Sequence, residues 1–364
     1  MSGIWGNGIK ISIFGESHGK AIGVNIDGLK AGILLDIDKI RREMKRRAPG
    51  NNEYSTSRKE EDEFEILSGY FEGRTTGTPL CAIIYNTNKK TEDYSELENT
   101  MRPSHGDYTG YVKYGGFNDY RGGGHFSGRL TAPLVFAGAI CKQLLGSRGI
   151  IMGSHINSIG VEQDEPFSPV SVEADTLRLL ASKAFPVLNS KSEVLMKEVI
   201  ARAREQKDSV GGVVETAVLG IEPGIGEPFF DSVESTLAHL IFSIPGVKGL
   251  EFGAGFNISR ISGSKANDEY YMDGEEVMTY SNNNGGIIGG ITNGMPLIFR
   301  TALKPTASIG KLQRTIDIEK KKNVEIEVHG RHDPCIVPRA LPAVEAVAAI
   351  ALLDFIMLSQ RNKY

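Results

Sequence analysis

The chain has 364 residues, 40% hydrophobic and 24% charged, with 41 Lys and Arg against 45 Asp and Glu and a formal net charge of −4. That is the composition of a soluble globular protein with ample material for a core, and its slight acidity excludes a general binder of nucleic acid or of anionic membranes, whose footprint is strongly basic. Three cysteines (Cys81, Cys141 and Cys335) form no closely spaced pair, which fits a reducing cytoplasm and offers no thiolate metal site.

The first residues, MSGIWGNGIKISIFGESHG, lack the basic-then-apolar order of a signal peptide. Ile9–Phe14 alternates like a strand and ends in the turn Gly15-Glu16-Ser17-His18-Gly19, and Ile22–Ile26 reads as a second strand. Residues 36–47 predict a helix capped by Asp36, with Ile37, Ile40 and Met44 at helical spacing, arginines and lysines around the rest, and a stop at Ala48-Pro49-Gly50. Leu80–Tyr85 is strand-like, and Leu130–Leu145 has helical composition. Residues 169–206 read as two helical pieces separated by Pro186. Val213–Ile221, Gly249–Ile258, Pro296–Leu303 and Asn323–His329 alternate like strands, the last with Val324, Ile326 and Val328 inward. The longest apolar run, near 343–358, is interrupted by Glu345 and Asp354 and reads as a buried helix, so no membrane span is expected. Mixed strands and helices imply an α/β or α+β layered fold. With no linker or repeat in sight, residues 1–364 are expected to form one large domain.

Glycine is over-used, 43 residues or roughly 12% against about 7% on average, and it clusters in loops. The densest cluster is RPSHGDYTGYVKYGGFNDYRGGGHFSGR at 102–129, which holds eight glycines, two histidines, three arginines and four tyrosines. So much glycine argues against a stable helix or strand there, and for backbone that approaches an anionic ligand. Gly15–Gly19 with Lys20 falls short of a phosphate-binding P-loop, having one residue too few and Ala21 where a hydroxyl is needed. It leaves Ser17 and His18 on a tight turn, either catalytic or merely structural. His105, flanked by Arg102 and glycines, suits acid–base work near neutrality. His125 fits cofactor contact and loop packing equally. His329, His332 and Asp333 lack the spacing of a metal set, so no metal is expected and an acid–base or ligand-contacting role is preferred for Asp333. The basic helix 41–47 is either a solvated face or, with Arg102, Arg121, Arg129, Arg331 and Arg339, a clamp for a multiply anionic small molecule.

Three stretches together resemble the chorismate synthase family: FGESHG at 14–19, the segment 102–129, and RHDPCIVPRALPAVEA at 331–346. LSGYFEGRTTGTPL at 67–80, GGIIGGITNGMP at 285–296 and KPTAS at 304–308 agree, in order, to about residue 355. The resemblance implies a β-α-β sandwich assembled as a homotetramer, and a lyase that converts 5-enolpyruvylshikimate 3-phosphate to chorismate by 1,4-anti-elimination with reduced FMN and no net oxidation. By motif match it implies that His18 protonates the leaving phosphate, that His105 protonates reduced flavin, and that Asp333 helps deprotonate the flavin N5 region, assisted by Ser17 and Ser127. It likewise implies that Arg47, Arg129 and Arg331 clamp substrate or cofactor. FMN is expected against His125, Phe126 and Ser127, Pro245 and Gly246, Gly289, and Lys304, Pro305, Thr306, Ala307 and Ser308, with Arg331 close by. NADPH enters as an indirect reductant: no dinucleotide fingerprint is present, which leans towards an external flavin reductase. Ala48 and Glu53 replace basic residues common in the family, and His125-Phe126 replaces its usual Arg-Ser pair. Two other readings stay open on the residues alone, a nicotinamide oxidoreductase and a non-catalytic anion-binding protein.

Overall fold

The computed structural model describes residues 3–50, 60–87, 98–328 and 333–361. Its frame is two five-stranded sheets with a layer of helices between them. The first sheet contains β1 (Ile4–Trp5), β2 (Lys10–Gly15), β3 (Ala21–Asp27), β4 (Phe64–Ser68) and β5 (Leu80–Tyr85), in the order β1-β2-β3-β5-β4. The second contains β6 (Ile151–Ile159), β7 (Glu162–Gln163), β8 (Gly212–Leu219), β9 (Val247–Phe252) and β10 (Leu297–Leu303), in the order β9-β10-β8-β6-β7. Every pairing in both sheets is antiparallel. The layered expectation therefore holds, on the antiparallel α+β side.

Alternation dictates which face of the first sheet is inside. Ile22, Val24 and Ile26 of β3 and Leu80, Ala82 and Ile84 of β5 point into the core, where the register pairs Ile22 with Ile84 and Val24 with Ala82. The middle layer is α1 (Ile37–Arg47), α3 (Thr131–Gly146), α6 (Val233–Ile241) and the long α7 (Val337–Arg361), while α2 (Asp107–Tyr114) lies in the glycine-rich segment. Helices α4 (Ala174–Ser182) and α5 (Ser190–Glu205) cover the outer face of the second sheet. There a row of alternating charge runs straight across four strands, His155–Glu215–Arg300–Glu251, each residue opposite the next in register.

Asp36 caps α1 as expected, its carboxylate accepting from the Lys39 amide at 3.0 Å. Helices α3 and α7 approach so closely at Gly138 that a Cβ there would lie 2.3 Å from that of Ala346. One core cluster runs from Ile9 through both helices to Ile356. Helix α7 is apolar enough from Val337 to Ser359 to cross a membrane, but 89% of that apolar window is buried inside the protein. Its two acidic interruptions are satisfied within the fold. Glu345 accepts from Arg46 and Lys142, at 2.7 Å each, and Asp354 accepts the amides of Asn7, Gly8 and Ile9 at 3.0, 2.6 and 2.9 Å. Burial alone would raise the Glu345 carboxyl, but the charges of Arg46 and Lys142 outweigh it and hold the group down to about 2.

Three expectations need correction. Segment 102–129 does contain a helix, because Asp107–Tyr114 carries a single glycine and the rest lie at its flanks, where Gly115 closes the helix at φ 62°. The strand expected over Gly249–Ile258 ends at Phe252, since Gly253 and Gly255 take φ 53° and 55° and turn the chain into a 3-10 segment, Gly255–Arg260. The strand expected over Asn323–His329 is Lys322–Ile326, paired with Gln313–Asp317 in a separate ribbon; Val328 is buried, while Val324 and Ile326 are half-buried and His329 lies outside the described residues.

Candidate active site

Two structures meet at the N-terminal end of α3. The first is a cleft of about 250 Å3 lined by Arg47, Glu60, Ser127, Arg129, Asp333 and Arg339, with Ile244, Pro245, Leu303 and Ile336 as its apolar wall. Arg47 comes from the last turn of α1, whose amphipathic pattern turns it inward rather than to solvent. Ser127 and Arg129 come from the turn entering α3, where the Ser127 hydroxyl accepts from the Arg129 amide at 3.3 Å. Arg339, in the first turn of α7, pairs with Asp333 and donates to the Arg47 carbonyl at 3.3 Å. The basic helix thus turns Arg47 into the cleft and uses Arg46 as a core tether, which binds Glu345 through both terminal nitrogens at 2.7 and 2.8 Å.

The electrostatics of this cleft are those of an anion site. Burial, with Arg339 and Arg129 nearby, pushes the Arg47 guanidinium down to about 10, although Asp62 at 2.5 Å works the other way. Asp62 also accepts from Arg129, which meets Glu60 at 3.1 Å and the Asn86 side-chain oxygen at 3.2 Å. Burial would raise the Asp62 carboxyl, but Arg47 and Arg129 hold it below the usual carboxylate range.

The second structure is a glycine loop with a histidine on each of two neighbours. Gly122, Gly123 and Gly124 all take left-handed backbone, φ 60°, 83° and 53°. A Cβ on Gly122 would stand 2.2 Å from Cε1 of His18, and one on Gly123 would stand 3.3 Å from Cε1 of His105. Both imidazoles therefore lie against consecutive residues of one loop. The Ser17 amide donates to the Gly124 carbonyl at 3.1 Å, and His125 Nδ1 donates to the Gly15 carbonyl at 2.8 Å, docking the 15–19 turn onto the loop. Behind His105, Asp107 accepts from Arg102 Nε and Nη2 at 2.7 and 2.8 Å and lies 3.7 Å from His105 Nδ1. Burial opposes the Asp107 charge, but Arg102 and His105 hold the carboxyl below its ordinary value. Lys304 Nζ donates to the Ser104 carbonyl at 2.6 Å, which brings 304–308 beside His105.

Asn86 joins the two structures. Its amide donates to the carbonyls of Glu16 and Gly19 at 3.0 and 3.1 Å while its oxygen accepts from Arg129. Nothing in the sequence marks it beyond its place one residue after β5. Glu60, Asp62 and the carboxylate-holding role of Arg339 are equally invisible there.

The structure brings Ser17, His18, His105, His125, Ser127, Arg47, Arg129, Asp333 and Lys304 into this neighbourhood. Pro245 lines the cleft, and the Gly246 carbonyl accepts from the Lys304 amide at 2.9 Å. Pro305 follows beside Gly211, and Thr306 accepts from Ser209 at 2.7 Å. Ser308, two residues beyond Thr306, lines an adjoining cleft of about 300 Å3 that shares Asp333. Thr306 Oγ1 is buried with no hydrogen-bond partner among the described residues, as a ligand-facing hydroxyl would be. Phe126 instead packs its ring on Gly106 and Gly110, and Gly289 sits in the hairpin Ile287–Ile288/Ile291–Thr292 near Val233, off the cleft wall. Arg331, His329, His332 and Glu53 lie outside the described residues.

Comparison with known proteins identifies the family. A family model described as Chorismate synthase matches residues 9–357. The chorismate synthase of Methanocaldococcus jannaschii is 45% identical over 365 residues, covering 97% of this chain and 96% of that protein. That of Thermococcus kodakarensis is 44% identical over 349 residues, covering 96% of each. A crystal structure of a chorismate synthase superposes with a TM-score of 0.74 at 29% identity, over 98% of this chain and 93% of the other. Since the matched region takes in the histidine turn, the glycine loop, the arginine cleft and most of α7, the chain belongs to the chorismate synthase family.

Proposed function

We propose that the chain catalyses the last step of the shikimate pathway, the conversion of 5-enolpyruvylshikimate 3-phosphate to chorismate and phosphate. The observation that carries this reading is the junction of three cleft arginines with two imidazoles on one glycine loop. The substrate bears two carboxylates and a phosphate of about −1.5 to −2 charge at pH 7, which suits a buried guanidinium cluster. In the elimination the C–O bond breaks with its electron pair on phosphate, the ring C–H bond supplies the pair of the new double bond, and a proton is released. Most of the work asked of the protein is positional and electrostatic.

Arg47 and Arg129 grip the anion and fix the ring. His18 delivers a proton to a phosphate oxygen as it leaves, with Ser17 beside it. His105, braced by Asp107, carries the proton on the flavin side. Asp333 takes up a proton at its carboxylate and is held for this by Arg339, while Ser127 lines the cleft between them. When bound, reduced FMN would supply electron density to the allylic system and recover it, with no net oxidation. The fit for it is the strip of Ser127, Pro245, Gly246 and Lys304–Ser308, of which Ser127 and Pro245 line the arginine cleft, Ser308 lines the adjoining one and Thr306 carries a buried hydroxyl without a partner among the described residues. Arg331, on sequence grounds, joins that strip.

The wider reading is a cytoplasmic homotetramer with each chain folding as one unit. The assembly into a larger unit is supported by the exposure of Phe229 and Phe230, 85% and 92%, in the segment leading to α6, whose first residue Val233 bonds the Gly289–Gly290 turn. Gly289 is therefore assigned to a subunit contact rather than to the flavin of its own chain. NADPH acts only through a separate reductase.

The test is anaerobic. With reduced FMN the protein releases phosphate from the enolpyruvyl substrate while the flavin spectrum returns to the reduced form. Equal phosphate release without flavin or reductant overturns the reading. An NADPH-only reaction without added reductase should be silent.

A further inference from the structure

Arg129 makes ion pairs with two carboxylates that are differently placed. Asp62 is fully buried, accepts from both Arg47 and Arg129, and faces away from the cleft towards the pocket formed by Arg41, Met44 and Lys45. It holds this position from a left-handed backbone, φ 53°, which a non-glycine residue adopts only when its surroundings fix it. Glu60, two residues earlier, meets the same terminal nitrogen of Arg129 at 3.1 Å and lines the cleft itself. One carboxylate thus stands behind the guanidinium pair and the other stands in the space that an anionic ligand would enter.

We infer that the two have opposite roles: Asp62 is a positioning residue that keeps Arg47 and Arg129 convergent, and Glu60 is an internal competitor that the substrate's anion displaces. Two like charges as close as these guanidiniums separate unless a shared counter-charge joins them. A rear carboxylate supplies that charge without blocking the cleft. Glu60, by contrast, shares that nitrogen of Arg129 from the cleft side until a stronger anion takes its place. The inference deepens the proposed function, on which it rests for the identity of the anion.

The experiment compares wild type, Glu60→Gln, Asp62→Asn and Asp62→Glu as FMN-loaded enzyme. It reads KM and kcat from phosphate release, and separately the Kd of inorganic phosphate by calorimetry. Glu60→Gln should tighten phosphate and lower KM, each about threefold. Asp62→Asn should weaken both by on the order of tenfold, although it makes the site more positive, and Asp62→Glu should recover most of the loss. A role through net charge alone predicts that Asp62→Asn tightens binding, and that result overturns the inference, as does weaker or unchanged binding in Glu60→Gln. Should Asp62→Asn fail to fold by thermal melting, the Glu60→Gln result decides by the same rule. Calorimetry without turnover keeps this test independent of the reaction: an enzyme that binds phosphate with these shifts but forms no chorismate sinks the proposed function and leaves the pair of roles standing.

Discussion

The arginine cleft and the histidine loop adjoin one another but are built by different physics. The cleft is a matter of side-chain charge: Arg47, Arg129 and Arg339 come from three helix ends and converge because Asp62, Glu60 and Asp333 neutralise them. The loop is a matter of backbone shape: Gly122–Gly124 carry no side chains, and the space this leaves is filled by His18 and His105. The difference teaches that binding and proton transfer should fail separately. Charge losses should damage affinity and stability together, whereas shape losses should damage turnover.

The largest effect is expected from Arg129→Ala. It removes one of the two arginines on Asp62 and the Arg129 pair of Glu60, and breaking a buried pair on one side costs about 3–5 kcal/mol. Denaturant unfolding should show that loss together with a steep rise in KM; a variant as stable as wild type would mean the cleft is not held by charge. Next comes Gly122→Ala. The new methyl would meet His18 at 2.2 Å on a backbone that disfavours side chains. His18 is the proposed proton donor, and displacing such a group by about an ångström costs on the order of 100-fold, so kcat should fall by that much while the Kd of inorganic phosphate moves little. Equal losses in both would erase the distinction between the regions.

Asn86→Ala sharpens the comparison because Asn86 is the bond between the two regions. Losing its hydrogen bonds should cost about 1–3 kcal/mol and lower kcat and affinity together, each by a few-fold. The last effect concerns acid and falls on stability alone. Glu345, which anchors Arg46 beside the clamp, has its carboxyl lowered from 4.5 to about 2 by Arg46 and Lys142 against the opposing effect of burial. A lowered folded value means that the pair's stabilisation is complete above about pH 4.5 and is lost as pH falls towards 2. Unfolding of wild type and Glu345→Gln should therefore differ most near neutrality and converge in acid. A gap that stayed constant down to pH 2 would contradict the pairing.

Much of the frame was legible because local periodicity encodes it. Ile37, Ile40 and Met44 announced α1, Asp36 its start, and Leu80–Tyr85 its strand to the residue. Averaging glycine over 28 residues hid α2, whose own eight residues hold one. The site was legible as residues by resemblance, through His18, His105, Arg129 and Asp333, but not as an arrangement. Asp62 beneath Arg47 and Asn86 between Gly19 and Arg129 are pairings between separate segments of the chain, and Arg339 reaches back six residues to Asp333 across the start of α7. No pattern of spacing carries such information, since a surface carboxylate and a buried one look alike in sequence.

Helix α7 packs against α3 and the second sheet, and it follows the other elements of the frame in chain order. Until residues as far as Ile356 are available, α3 and strands β6 and β8 lack a principal partner, and the amides of Asn7–Ile9 lack the carboxylate of Asp354. The first sheet can close on α3 early, while the second must wait for the helix made last. Synthesis from the N-terminus therefore leaves the inner face of the second sheet uncovered longer than that of the first.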